Sequence, residues 1–313
     1  MDIIDLHADL GSDLFTHVST LEEAINRFGT VHLPGLQQGG YRAVGGASFF
    51  DGQQDWPTMQ ATMMRFRRVL QNFPEDVVII EKPDDFDDDR LGVVLTVEGM
   101  GGVIEAPAAA VDWMSRLGIK IASLQWSEEN ALSTGINGDL RRGLTPLGKQ
   151  AVKALNENRV IIDVSHANVR SFYDMMSLTA GPIIATHSNC FALHSHPRNL
   201  TDEQIRLISE HGGVIGLVAV WPFLESSKSE DTIYRLAEHA AHIAEISSIE
   251  HVALGFDFMD YYGESNASAN LKGLSTFSEA QNCVSVFKQY GFSNDDIQKI
   301  TSLNAKRIVN SIL

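Results

Sequence analysis

Eight short apolar runs punctuate this chain, and each is followed by a stretch with helical character. They lie at 3–7 (IIDLH), 43–50 (AVGGASFF), 92–97 (GVVLTV), 119–125 (IKIASLQ), 159–165 (RVIIDVS), 183–187 (IIATH), 213–219 (GVIGLVA) and 251–256 (HVALGF). Runs that are continuously apolar, rather than alternating, suit parallel strands buried on both faces. Between them, 56–73 places Met59, Met63, Phe66 and Leu70 on one helical face. The stretch 145–158 opens with Thr145 as an N-cap and Pro146 in the first helical position. The stretch 201–211 starts with a Thr cap and two acids, while 231–247 and the tail 293–313 repeat apolar residues at helical spacing. This alternation predicts an α/β fold, a (β/α)8 TIM barrel forming a single catalytic domain over residues 1–313. A doubly wound open sheet is the alternative. The acidic stretch 84–89 (DDFDDD) lacks the Gly and the terminal Glu of a calcium loop and reads as a solvated loop.

Composition narrows the partners. A net charge of −16 argues against nucleic acid, which needs a basic surface. Hydrophobic residues make up 44% and charged residues 20%, the balance of a globular protein. No run of about 18 apolar residues exists and no basic leader opens the chain, so no membrane span or signal peptide is expected. Cys190 and Cys283 stand far apart in no CxxC pattern, which favours a reducing compartment and a cytoplasmic location.

Barrel chemistry sits at the C-terminal ends of strands. There the first run delivers His7 and Asp9, the third Glu98, the fifth His166, the sixth His187 and the eighth Asp257. Each alone reads as a rim histidine or a helix cap. Together, three imidazoles and three carboxylates converge on one mouth. Such donors suit zinc and similar divalent cations. Six groups exceed one tetrahedral site and fit two metals bridged by a carboxylate and a water, with one carboxylate left as a base. That constellation hydrolyses amides or esters. Other groupings carry less. The pair His194 and His196 falls in a loop and reads as a rim feature. His239 and His242 lie on a predicted outer helix, where a solvated face is expected. Cys190 reads as a packed thiol. No phosphate-binding glycine motif and no GxSxG elbow occur.

The ordered blocks IDLHADL, HLPGLQQGGYRAVGGASFF, LTVEGM, GLTPLGKQAVKALNENRVIIDVSHAN, PIIATHSNCFALHSHPRNLTDEQIRLI, LGFDFMD and GFSNDDIQKITSLNAKRIV resemble the membrane (renal) dipeptidase family of zinc metallopeptidases. The resemblance implies two zinc ions, His7 and Asp9 on one, His166 and His187 on the other, and Glu98 bridging. It implies Asp257 as the proton shuttle and Arg198 as the partner of the substrate's terminal carboxylate. From the residues alone, Arg198 reads first as a surface ion pair. Where some members have a substrate-binding His, this chain has Trp126 in LQWS, which donates one N–H and cannot take a proton. The implied activity is hydrolysis of dipeptides, including L,D-dipeptides, by a hydroxide held between the metals, and the implied assembly is a homodimer. A lactam, lactone or N-acyl amino acid hydrolase, and a metal-binding protein without activity, are the other readings.

Overall fold

The computed structural model describes residues 1–227, 229, 232–263 and 269–313. Its strands are β1 (Ile3–Ala8), β2 (Tyr41–Phe49), β3 (Val77–Ile79), β4 (Leu91–Glu98), β5 (Ile119–Ala122), β6 (Ile161–Asp163), β7 (Ile183–Ile184), β8 (Ile215–Leu217) and β9 (Val252–Leu254). Eight pair in the order β7-β6-β5-β4-β2-β1-β9-β8, all parallel. A bridge between Ala185 and Ile215 joins the two ends, so the sheet closes into a barrel with helices outside it.

β3 lies in a further apolar run, VVII at 77–80, outside the eight named above. It pairs with the first half of β4, Val77 opposite Leu91 and Ile79 opposite Val93. Further along, β4 is met by β5, Leu95 opposite Ile119.

The barrel is packed at its N-terminal end and open at the other. Ile4, Leu6, Val94, Ile121, Ile161 and Ile184 form a buried cluster with Ala305, Ile308 and Val309 of the C-terminal helix. That helix therefore plugs the bottom. The larger core lies between strands and helices. Met59, Met63 and Phe66 of the helix Trp56–Leu70 are each at most 1% exposed. Burying side chains of this size contributes about 1.5–3 kcal/mol each.

The helix starts follow local chemistry. Asp55, Thr145 and Thr201 each accept a backbone N–H from the residue three positions on. Thr201 and Gln204 complete a reciprocal capping box. The stretch expected to be helical over 231–247 is a helix at Thr232–Ile246, and Asp231 lies outside the described residues. The tail is three pieces instead of one helix: Asn294–Gln298, a wide π turn at Lys299–Leu303, and Asn304–Asn310. The acidic stretch near 84–89 is not a free loop throughout. Pro83–Asp87 forms a short 3-10 turn that buries Phe86.

Closure between β7, β8 and β9 depends on two glycines. A Cβ on Gly216 would lie 1.9 Å from the Thr186 carbonyl oxygen, and one on Gly255 would lie 1.7 Å from the same atom. Only hydrogen fits there, and the residue after Thr186 is His187. Among the described residues, no helix is long and apolar enough to cross a membrane.

Candidate active site

Strand ends supply the site. β1 carries a bulge: Asp5 faces Val44 and Ala8 faces Gly46, so three steps on β1 match two on β2. The bulge breaks the period of two that would point Asp5 alongside His7. Asp5 instead braces the backbone, accepting the N–H groups of His7 (3.1 Å) and Phe256 (3.0 Å) and the Tyr41 hydroxyl (3.2 Å). Burial pushes its carboxyl up to about 6 against those hydrogen bonds. Glu98 ends β4, and His166, His187 and Asp257 follow β6, β7 and β9.

Two of these residues hold left-handed backbone that non-glycine residues rarely adopt, His166 at φ 67° and Asp257 at φ 58°. Neighbours stabilise both. The Ile136 N–H donates to the His166 carbonyl at 3.0 Å. Asn270 donates to the Asp257 carbonyl and accepts the Met259 N–H. Such strain concentrates where a side chain must be aimed.

The side chains meet in one cluster. His7 Nε2 lies 3.3 Å from Glu98 Oε2, 3.5 Å from Asp9 Oδ1 and 3.9 Å from Asp257 Oδ1. Glu98 Oε1 lies 3.0 Å from His166 Nε2 and 3.4 Å from His187 Nε2. The two Nε2 atoms of His166 and His187 are 3.0 Å apart. Two overlapping triads have donor atoms within 4.8 Å of one another: His7, Glu98 and His187, and His7, Asp9 and Asp257. Asp9 is tied down through its backbone, whose N–H donates to the Tyr261 hydroxyl at 3.0 Å.

An outer ring orients the imidazoles. Thr186 donates its hydroxyl to Asp163 Oδ2 (2.5 Å), leaving the Thr186 hydroxyl oxygen to accept from His187 Nδ1 (2.7 Å). His187 Nε2 is then the unprotonated nitrogen facing the cluster. Asp163 also accepts the N–H groups of Ser165 and Thr186. His166 Nδ1 pairs with Ser127 Oγ at 2.9 Å. Ser127, Asp163, Thr186 and Tyr261 are the positions that sequence reasoning misses. The available signal is adjacency: Thr186 precedes His187 and Ser127 follows Trp126.

The electrostatics are those of a cation site. Burial, reinforced by Arg198, lowers His166 to about 4, and burial holds His187 well below its ordinary value. Both rings are neutral at pH 7 with a lone pair available. Burial works against a charge on His7, yet Glu98 and Asp9 raise it well above the usual range. The acids attract positive charge to that point. Burial pushes Asp257 up to about 7, with His7 and Arg198 opposing and Asp9 and Glu98 adding to it.

Arg198 is not at the surface. It is 4% exposed, donates to the His187 carbonyl at 2.9 Å and lies over the Phe223 ring. Trp126 stands 5.8 Å from the His166 ring, centroid to centroid, and 5.2 Å from Phe49. Two cavities flank the cluster. One, about 210 Å³, borders it at His166 and contains Arg198. The other, about 300 Å³, borders it at Asp9 and includes Asp51 and Gln54.

The remaining sequence candidates separate. His239 is buried, not solvated: its Nδ1 accepts the Cys190 N–H at 2.9 Å. His242 is half-buried against Asp202 at 2.8 Å. The Cys190 thiol is buried, and burial pushes it up, away from reactivity. His194 and His196 sit on the rim, His196 Nδ1 accepting the Arg198 N–H.

The profile of the membrane dipeptidase family, peptidase family M19, matches residues 1–312. The chain belongs to this family. A relative from Klebsiella pneumoniae, described as an uncharacterized protein in the pqqA 5′ region, is 34% identical over 55% of this chain and 66% of its own. Dipeptidase tcpJ of Claviceps purpurea is 23% identical over 79% of this chain and 58% of its own. The matches span 56–66% of the length of these and the next curated relatives. Among solved structures, a metallo peptidase from Rhodobacter sphaeroides, liganded with a phosphinate mimic of L-Ala-D-Ala, superimposes with TM-score 0.85. It is 20% identical over 100% of this chain and 99% of its own. At that identity the likeness establishes a shared barrel.

Proposed function

We propose that this M19 family member is a zinc-dependent dipeptidase, with residues 1–313 as one catalytic domain. The observation that carries the reading is a set of buried donor atoms without hydrogen-bond partners among the described residues: His7 Nε2, Asp9 Oδ1 and Glu98 Oε1. Leaving such atoms unpaired costs about 1–3 kcal/mol each, and divalent cations held in the cluster would satisfy them. The facing Nε2 atoms of His166 and His187, 3.0 Å apart, fit a second ion. The donor set therefore suits two metals: His7 and Asp9 for one, His166 and His187 for the other, and Glu98 between them. Nitrogen and carboxylate oxygen donors favour zinc. When bound, the pair supplies the Lewis acidity that activates water and polarises the scissile carbonyl.

The chain's own residues do the rest. Asp257, at the edge of the cluster, takes a proton from the attacking water and returns it to the leaving amine. A carboxyl near 7 suits both halves of that task. Arg198 holds the substrate's terminal carboxylate through a planar pair of N–H donors. The acidic cavity at Asp9 and Asp51 takes the ammonium end. A zwitterion two residues long then spans the cluster with its peptide bond over it. Trp126 walls the site and offers a single N–H. The Rhodobacter sphaeroides neighbour, with its bound dipeptide mimic, supports an L,D-dipeptide as one substrate. The two cysteines, free and buried, support a reducing, cytoplasmic location.

The test is a panel of L,L- and L,D-dipeptides beside a lactam, a lactone and N-acyl amino acids. The account expects the highest kcat/KM on dipeptides. Preference for any of the other three classes contradicts it.

A further inference from the structure

The cavity beside His166 is more than a place for a carboxylate. Its apolar walls are Ile136, Leu140, Val164, Val169, Phe191 and Leu200, and Asn168, Asn199, Thr201 and Gln204 share the lining. Val164 and Leu200 form a buried floor at 2% and 5% exposure. Leu140, Val169 and Phe191 form the mouth at 72%, 57% and 41%. An exposed apolar rim continuous with an apolar floor marks a binding surface. Arg198 contributes the one ionised side chain of the lining, and Ser188 lies beside it. Each residue is more than nine-tenths buried, and each has a polar atom without a partner among the described residues, Arg198 Nε and Ser188 Oγ.

From these features we infer that the cavity is a specificity pocket for the C-terminal residue of the substrate, and that it selects a bulky apolar side chain such as Leu, Met or Phe. The inference rests on the dipeptidase reading and names its substrate class. Of the three buried lining atoms without partners among the described residues, Arg198 Nε and Ser188 Oγ donate to the carboxylate, and Asn199 Oδ1 is an acceptor that takes no part. The side chain on the adjacent carbon then meets Val164 and Leu200 at the floor and Leu140, Val169 and Phe191 at the mouth. An Asp or Lys side chain would be desolvated there with no opposite charge beyond Arg198, which the substrate's carboxylate already occupies. The half-open mouth sets no sharp upper limit on length.

The experiment measures kcat/KM for Ala-Xaa dipeptides with Xaa as Gly, Ala, Leu, Phe, Asp and Lys, in both configurations at Xaa. In the better-cleaved configuration, Leu should exceed Gly by about 10–100-fold, the range a filled hydrophobic pocket gives, and Asp and Lys should fall below Gly. Val169→Trp, which fills the mouth from an exposed helix start, should reduce the Leu-to-Gly ratio about tenfold or more. Leu140→Lys, at a still more exposed position, should lower it in the same direction. A flat series, or Gly preferred over Leu, overturns the pocket while leaving the dipeptidase reading intact. If no dipeptide is cleaved, that reading fails, and calorimetric binding of free leucine and glycine to the metal-loaded protein decides the pocket. Tighter binding of leucine, lost in Val169→Trp, supports it. Equal binding overturns it.

Discussion

Replacing Thr186 with Val tests how the outer ring controls the site. Val keeps the shape of Thr, and the backbone N–H of residue 186 still reaches Asp163 Oδ1. Two short bonds disappear, the hydroxyl to Asp163 Oδ2 at 2.5 Å and the acceptor for His187 Nδ1 at 2.7 Å, together with a longer contact to Ser165 Oγ at 3.3 Å. The first is charge-assisted and worth about 1.5–3 kcal/mol, the second about 0.5–1.5 kcal/mol. A stability loss of about 2–4 kcal/mol follows if neither is replaced. The larger consequence is for metal. Without Thr186 nothing fixes the proton on Nδ1, so the ring is free to present either nitrogen to the cluster. Losing such an orienting partner weakens metal affinity by about 10–100-fold, or about 1.4–2.8 kcal/mol. Competition against a chromophoric chelator measures affinity, and denaturant unfolding of the apo protein measures stability. Excess metal should restore turnover, because the first-contact donors remain. Unchanged affinity in a variant that shows the stability loss would refute the claim that this chain of bonds sets the tautomer of His187.

Four further outcomes follow from the same geometry. Arg198→Ala should lower kcat/KM on dipeptides by roughly 10–100-fold per hydrogen bond lost, with metal content unchanged by elemental analysis. Asp257→Asn should lower kcat by about 10²–10⁴-fold while both metal equivalents are retained. Gly255→Ala drives a Cβ to within 1.7 Å of the Thr186 carbonyl, and a loss of about 4 kcal/mol or more should appear as failed accumulation or a collapsed Tm. Asp13 accepts from Arg27 at 2.6 and 2.7 Å and pairs with His32 at 2.7 Å. Burial works against its charge, but these partners lower its carboxyl to about 2. Because the folded value is depressed, its stabilisation is present above the ordinary carboxylate range and fades as pH falls from about 4 toward 2. Unfolding measured across that window should show the decline, and Asp13→Asn should reduce it.

The barrel is legible in the sequence because a parallel strand buried on both faces leaves a continuous apolar run, and eight such runs separated by capped helices admit few closed arrangements. The meeting of His7, Asp9, Glu98, His166, His187 and Asp257 is legible for a related reason. Each follows an apolar run, and strand exits of one barrel share a mouth. What does not show is what depends on closure. Ser127, Asp163 and Thr186 come from three different exits and bond only once β5, β6 and β7 lie side by side. Asp5 is visible as a polar residue in an apolar run, but its partners are not, because Tyr41 and Phe256 reach it only once β2 and β9 flank β1. His239 and His242 are three residues apart on one helix. Spacing alone does not reveal that the first is held inside by the Cys190 N–H and the second by Asp202. Arg198 has the look of a surface residue in HPRN until the loop that carries it folds back over the His187 carbonyl. The π turn at 299–303 is a local departure too short to leave a periodic trace.

The central claim is that two metals on this donor set perform the hydrolysis. The most direct measurement is metal content and dipeptide turnover on one sample, before chelation, after it and after zinc is returned. The account predicts two equivalents per chain, loss of turnover as the metal is removed, and recovery on its return. Full turnover in protein stripped of metal would contradict it.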